Sequence, residues 1–126
     1  MKILIVDDYP TMLRNVGNAL RQMGFHDITE AANGRAAFEL LKRGGFGLVI
    51  SDWNMPEMTG IDLLRAVRAD AALAAMPFIM ATSDGKQSSI LMAAAAGVNG
   101  YIVKPFSAEM LQAEITRILG PLPSAA

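Results

Sequence analysis

Four places in the 126-residue chain carry side chains able to do chemistry together: the acidic pair Asp7-Asp8, Asp52 after Leu48-Val49-Ile50-Ser51, the hydroxyls of Thr82-Ser83, and Lys104 before Pro105. Carboxylates gathered in one place repel one another, and burying them uncompensated is costly. A hard divalent cation relieves that cost. Mg²⁺ takes a few carboxylates and fills its octahedron with waters and a substrate phosphate. A carboxylate beside Mg²⁺ can serve as a nucleophile toward a phosphoryl group, giving an aspartyl phosphate. Such transfer depends on positioning and charge neutralisation more than on covalent work by the protein. Lys104 would offer a fixed cation to the phosphate oxygens and Thr82 a hydrogen bond. Taken singly, each residue reads as a solvated loop position. They become a site only if the fold brings them to one edge.

The elements that must do so are legible. Short apolar runs at residues 3–6, 48–50, 78–81 and 101–103 are too brief for helices and rich in β-branched or aromatic residues. Continuous rather than alternating apolar runs suit strands buried on both faces of a parallel sheet. Asp27–Ala31 is more polar, as an edge strand would be. Between the runs the period becomes helical: Met12, Val16, Ala19, Leu20 and Met23, then Phe38 and Leu41, then Ile61, Leu64 and Val67. Ile90, Leu91, Ala94 and Ala95 mark a fourth helix, and Leu111, Ile115, Ile118 and Leu119 a fifth. Gly24, Gly44-Gly45, Gly97 and Gly120 stand where helices would stop, and Ser107 and Glu109 suit the start of the last helix. The order is βα five times over. This predicts a three-layer, doubly wound α/β fold with a five-stranded parallel sheet and right-handed crossovers. Ligands in such sheets bind at the carboxyl ends of the strands. Those ends are Asp7-Asp8, Asp52, Thr82-Ser83 and Lys104-Pro105.

Composition narrows the function classes. Eleven basic residues against twelve acidic ones leave a net charge of −1, with no basic stripe to attract nucleic acid. Cysteine is absent, which removes disulfides, thiolate metal sites and thiol nucleophiles. No apolar stretch approaches the roughly 18 residues needed to cross a bilayer, and the apolar start is shorter than a signal peptide requires. A single domain over residues 1–120 with a short tail at 121–126 is expected, in the cytoplasm and off the membrane.

Asp7-Asp8, Asp52, Thr82 and Lys104-Pro105, at these spacings and in this βα order, resemble the receiver domain of bacterial two-component response regulators. The segments Val6-Asp7-Asp8-Tyr9-Pro10-Thr11-Met12, Ser51-Asp52-Trp53-Asn54-Met55-Pro56 with Thr59-Gly60, and Gly100-Tyr101-Ile102-Val103-Lys104-Pro105-Phe106 are similar to the single-domain chemotaxis members of that family. The resemblance spans residues 1–119. It implies the flavodoxin-like strand order 2-1-3-4-5. It implies that Asp52 accepts a phosphoryl group from a histidine kinase and that Asp7 and Asp8 place Mg²⁺, directly or through water, with Asp52 and the backbone carbonyl of Asn54. Lys104 would pair with the phosphate, and its bond to Pro105 would be cis, as only an X–Pro bond readily is. Thr82 would move toward the phosphate and Tyr101 swing inward. A monomer would signal through the face of the fourth helix, fifth strand and fifth helix to a partner such as a flagellar motor switch protein. A receiver of a non-chemotactic pathway is the alternative. Asn54 and Asp84 occupy positions that influence phosphoryl lifetime in the family, and Asp84-Gly85-Lys86 departs from the enteric pattern of an acid followed by two lysines.

The remaining notable residues have plainer readings. Tyr101, by position alone, is a half-buried core tyrosine with a wet hydroxyl. Trp53 packs beside the nucleophile and is an optical probe. His26, the sole histidine, reads as a surface loop residue, so the chain is a poor phosphodonor. Gly44-Gly45-Phe46-Gly47 has no following helix and is a turn, not a phosphate loop. The alanines at 93–96 reflect helix propensity first. A flavodoxin-type electron carrier would need a hydroxyl- and Gly-rich loop where Asp7-Asp8-Tyr9-Pro10 stands. A small-molecule phosphohydrolase would need a general acid and a cap. Because the sequence stops soon after the fifth helix, output is expected through binding another protein.

Overall fold

The computed structural model describes residues 1–121, so the tail expected at 121–126 falls, beyond Pro121, outside the described residues. Five strands alternate with five helices: β1 Lys2–Val6, α1 Pro10–Gln22, β2 Asp27–Ala31, α2 Gly34–Lys42, β3 Phe46–Asp52, α3 Gly60–Ala69, β4 Phe78–Thr82, α4 Gln87–Ala95, β5 Gly100–Val103 and α5 Ala108–Leu119. All neighbouring strands are parallel, in the order β2-β1-β3-β4-β5.

Successive strand residues point to opposite faces, and both faces here are covered. Leu4, Val6, Val49, Phe78 and Met80 join Ala37, Leu41, Ile61, Leu64 and Ala93 in one core layer, beneath α2, α3 and α4. Ile3, Ile5, Leu48, Ile50 and Ile79 join Val16, Leu20, Leu111 and Ile115 in the other, beneath α1 and α5. This double burial is why the central strands read as continuous apolar runs. β2, paired only with β1, has a buried residue only at Ala31.

Helix starts are set by short polar side chains. Asn33 accepts from the Ala36 amide, Ser107 from the Met110 amide, and Thr59 with Asp62 forms a reciprocal capping box. α4 differs from expectation. Leu91, Ala94 and Ala95, read as markers of its apolar face, are exposed, and Ala93 is its sole buried residue. After its polar first turn, Gln87-Ser88-Ser89, the helix is apolar on every side, so periodicity carried no information about which side faces the sheet.

The start of α3 lies directly against the end of β3. The Gly60 amide donates to the Trp53 carbonyl at 2.8 Å. A Cβ on Gly60 would overlap the Asp52 carbonyl oxygen and stand 2.9 Å from Trp53 Cα, both backbone atoms that cannot give way cheaply. We expect Gly60→Ala to cost about 2 kcal/mol, as overpacking of a close backbone contact does, lowering the melting temperature by roughly 6–10 °C. A melting curve within about 2 °C of wild type would show that the loop relaxes freely.

Candidate functional site

Register brings the chemical residues to one edge. Val6 pairs with Ser51, Asp52 with Ala81 and Thr82 with Val103. Asp7 and Lys104 each stand one residue beyond their strands, and the Lys104 amide continues the ladder by donating to the Thr82 carbonyl at 2.7 Å. Asp7, Asp52, Thr82 and Ser51 are the buried polar residues among those described, and all four lie at this end of the sheet.

Lys104 holds the centre. Its Nζ donates to Asp7 Oδ2 at 2.9 Å and to Asp52 Oδ1 at 3.0 Å, with all three side chains largely buried. Asp8 is exposed, yet Asp7, Asp8 and Asp52 each offer a carboxylate oxygen within 4.8 Å of the others. Three carboxylates face one ammonium, so two negative charges go unmatched. Asp7 is further fixed by the Tyr9 amide, which donates to Oδ1 at 3.0 Å at the start of α1. Asn54 is exposed in the loop after β3, and its carbonyl joins no backbone hydrogen bond among the described residues. The Lys104–Pro105 bond is cis.

The ion pair titrates asymmetrically. Burial pushes the Asp52 carboxyl above its ordinary value; hydrogen bonding and charge from Lys104 oppose this, and the charge of Asp7 adds to it. Burial would depress the Lys104 ammonium, but hydrogen bonds and charges from both Asp7 and Asp52 outweigh it, so its pKa is raised. One ammonium shared between two carboxylates leaves burial dominant at Asp52, whereas two carboxylates serving one ammonium leave pairing dominant at Lys104.

Thr82 stands apart from this cluster. It shares the strand parity of Phe78 and Met80, on the α4 side of the sheet, and its Oγ1 accepts from the Asp84 amide at 3.2 Å. Tyr101 is half-buried; its hydroxyl donates to the Asp84 carbonyl at 2.6 Å, and its ring meets Trp53 edge-on at 6.4 Å. His26 is exposed on the loop before β2, remote in the fold from the acidic edge. Sequence reasoning missed one residue here and the role of another. Gly60 entered only within the Thr59-Gly60 segment of the resemblance, with no physical reason for its being glycine, and Ser89, whose hydroxyl bonds the Asp84 carboxylate at 2.6 Å, carries no motif at all.

The donor set suits Mg²⁺: hard carboxylate oxygens within reach of one another and an uncompensated double negative charge. When bound, the ion would neutralise charge on the transferring phosphoryl oxygens. An open parallel α/β sheet with an acidic, lysine-bridged cleft at its carboxyl edge defines a class of signalling domain. Residues 3–116 match the response regulator receiver domain, and the chain belongs to that family. It is a phosphorylation-activated two-component response regulator, a signalling receiver and not a conventional enzyme.

Among curated relatives, the chain is 53% identical to chemotaxis protein CheY of Pseudomonas aeruginosa over 118 residues, which is 94% of this chain and 95% of that protein. It is 52% identical to chemotaxis protein CheY-3 of Vibrio cholerae, covering 94% of this chain and 91% of that one. Of solved structures, Vibrio cholerae CheY4 superposes with a TM-score of 0.87 at 34% identity, covering 94% and 98% of the two chains. The receiver domain of a Pseudomonas aeruginosa sensor histidine kinase, with a magnesium ion coordinated in its active-site cleft, gives 0.86 at 28% identity, covering 94% and 97%. Membership of this family implies a histidine kinase upstream and a protein target downstream. No helix among the described residues is long and apolar enough to cross a membrane.

Proposed function

We propose that Asp52 accepts a phosphoryl group from a phosphohistidine of the kinase, and that the phosphorylated chain controls a flagellar motor by binding a motor switch protein. The observation that carries the acceptor assignment is the Lys104 bridge, which fixes Asp52 with one oxygen engaged and leaves its carboxylate at the open edge of the sheet. In the reaction a carboxylate oxygen of Asp52 attacks phosphorus, the phosphorus–nitrogen bond breaks, and the imidazole leaves with the electron pair. Asp7, Asp8, Asp52 and the Asn54 carbonyl would hold Mg²⁺. Lys104 then turns from its carboxylate partners to the phosphoryl oxygens, and Thr82 supplies a hydroxyl hydrogen bond.

Signalling follows as a shift between two conformations. Thr82 lies on the far side of the sheet layer from the acidic cluster, so bonding the phosphoryl group requires it to move, and Tyr101, whose hydroxyl is bonded to the Asp84 carbonyl, would swing inward behind it. Moving such a switch from 1:99 to 99:1 takes about 5.5 kcal/mol of differential stabilisation, to which a dianion held by several charged groups contributes. The responding face is the α4–β5–α5 edge, where Leu91, Met92, Val103 and Met110 are exposed. Apolar groups so grouped mark an interaction surface. The chemotactic output rests on the close similarity to chemotaxis proteins.

The test is a titration of the chain against a flagellar motor switch protein from the same cell, with and without beryllofluoride and Mg²⁺, followed by Trp53 fluorescence. Binding at least about tenfold tighter in the loaded state supports the motor assignment. Beryllofluoride binding without any gain for the motor protein would instead assign the chain to a non-chemotactic pathway.

A further inference from the structure

Of all the helices, α4 is fixed least by packing, with Ala93 its single buried residue and no side-chain bond from its N-cap, Lys86. Its far end is secured by Arg68, which donates to the Gly97 carbonyl at 2.9 Å and to Asn99 Oδ1 at 2.8 Å. Its first turn is held by a residue outside the helix. Asp84 accepts from the Lys86 amide through Oδ1 at 2.9 Å and from the Ser89 hydroxyl through Oδ2 at 2.6 Å. The main chain of Asp84 faces the other way, donating to Thr82 Oγ1 and accepting from the Tyr101 hydroxyl. One residue thus makes two bonds toward the strands of the site and two toward α4. Ser89 sits three residues past the N-cap, where a capping-box side chain reaches back to the cap. Here it reaches past the cap to Asp84.

We propose that Ser89 is a positioning residue of the switch: its hydroxyl, by holding the Asp84 carboxylate, ties the first turn of α4 to Thr82, so that movement of Thr82 toward modified Asp52 is passed to α4. This rests on the roles given above to Asp52 and Thr82. The linkage survives the movement, because a threonine hydroxyl donates one hydrogen bond to a phosphoryl oxygen while still accepting another from the Asp84 amide. The Ser89–Asp84 bond is of the strong, charge-assisted kind. The Ser89 hydroxyl first, and the Lys86 amide after it, hold the Asp84 carboxyl below the ordinary carboxylate range, so it is ionised at neutral pH. Ser89 touches none of Asp7, Asp52 or Lys104, which leaves the chemistry itself independent of it.

The test uses the full chain, Ser89→Ala and Ser89→Thr, in two arms. In the ligand-free protein, hydrogen exchange at the amides of residues 86–90 should quicken by about fivefold or more in Ser89→Ala, while residues 93–97, secured by Arg68, stay as in wild type. In the second arm, beryllofluoride with Mg²⁺ should bind the variant within about twofold of wild type, while the shift changes it induces in the amides of residues 87–92 fall below half. Ser89→Thr, which keeps the hydroxyl, should restore both. Unchanged exchange, or α4 shifts as large as wild type in Ser89→Ala, overturns the coupling. Loss of beryllofluoride binding in Ser89→Ala also overturns it, since Ser89 would then belong to the phosphoryl site itself. A wild type silent to beryllofluoride overturns the Asp52 assignment and the coupling with it, an outcome distinct from a responsive wild type beside an equally responsive variant.

Discussion

Asp52→Asn should lose phosphoryl acceptance entirely while making the fold more stable at neutral pH. The loss follows because a neutral amide is no nucleophile toward phosphorus, and neither Asp7 nor Asp8 ends a strand beside β4, which carries Thr82, as Asp52 does. The gain follows from the charge balance. Asp7 and Asp52 share one ammonium with the exposed Asp8 carboxylate close by, and burial raises the Asp52 pKa. A carboxyl whose pKa is raised on folding binds its proton more tightly in the native state, so its contribution falls as pH rises from the ordinary carboxylate value through the native one. The penalty is therefore larger at neutral pH than in acid, and Asn removes it. We expect a stabilisation on the order of 1 kcal/mol in metal-free buffer at pH 7, shrinking as pH falls toward 4, read by urea titration. A variant less stable than wild type at pH 7 would mean the Lys104 pairing outweighs burial at Asp52. Asn also weakens the cation site, so the Trp53 response to Mg²⁺ should diminish with it.

Lys104→Met acts in the opposite direction and more strongly. Removing one partner from a buried pair leaves the other charge uncompensated, and here two carboxylates are left facing each other. The Lys104 side chain is 15% exposed, against 6% for Asp7 and 8% for Asp52. That partial exposure places the cost at the lower end of the range for broken buried pairs, about 3 kcal/mol. Lys104 has a raised pKa, so its stabilisation is fully present below the ordinary lysine value and is lost only above it; the cost of the substitution should therefore be flat from pH 6 to 9. Two signs distinguish this account from simple loss of packing. Mg²⁺ should recover part of the stability of Lys104→Met, because a divalent ion supplies the missing positive charge. The variant should also bind Mg²⁺ more tightly than wild type, since no ammonium competes for Asp7 and Asp52. Calorimetry and a Trp53-monitored titration read both. Weaker Mg²⁺ binding would contradict the competition.

Much of this is legible in the amino-acid sequence alone. The β-strands announced themselves because sheet burial on both faces writes continuous apolar runs, and parallel crossovers then fix that all strand ends share one edge. That geometry, together with chemically matched carboxylates and an ammonium, sufficed to place Asp7, Asp8, Asp52 and Lys104 together. Strand order came from resemblance, since hydropathy says nothing of which strand neighbours which. Three things stayed hidden for physical reasons. The exposed side of α4 was unreadable because its residues from Ile90 onward are apolar all round. The structural role of Gly60 was unreadable because a close backbone approach leaves no mark except the absence of a side chain. Ser89 was silent because a hydroxyl on a helix is ordinary until its partner, Asp84, is seen beside it. Long-range hydrogen bonds across loops have no period for a sequence to show.

The central claim is that Asp52 takes the phosphoryl group, and covalent mapping tests it most directly. The full chain would be incubated with a small acyl phosphate donor, with and without Mg²⁺, then reduced with borohydride, which converts an aspartyl phosphate to a stable alcohol. Peptide mass spectrometry would locate the reduced residue. The expected result is one Mg²⁺-dependent modification at Asp52, absent from Asp52→Asn. Modification at Asp7 or Asp8 in place of Asp52, or none that depends on the ion, would contradict the assignment and with it the switch built upon it.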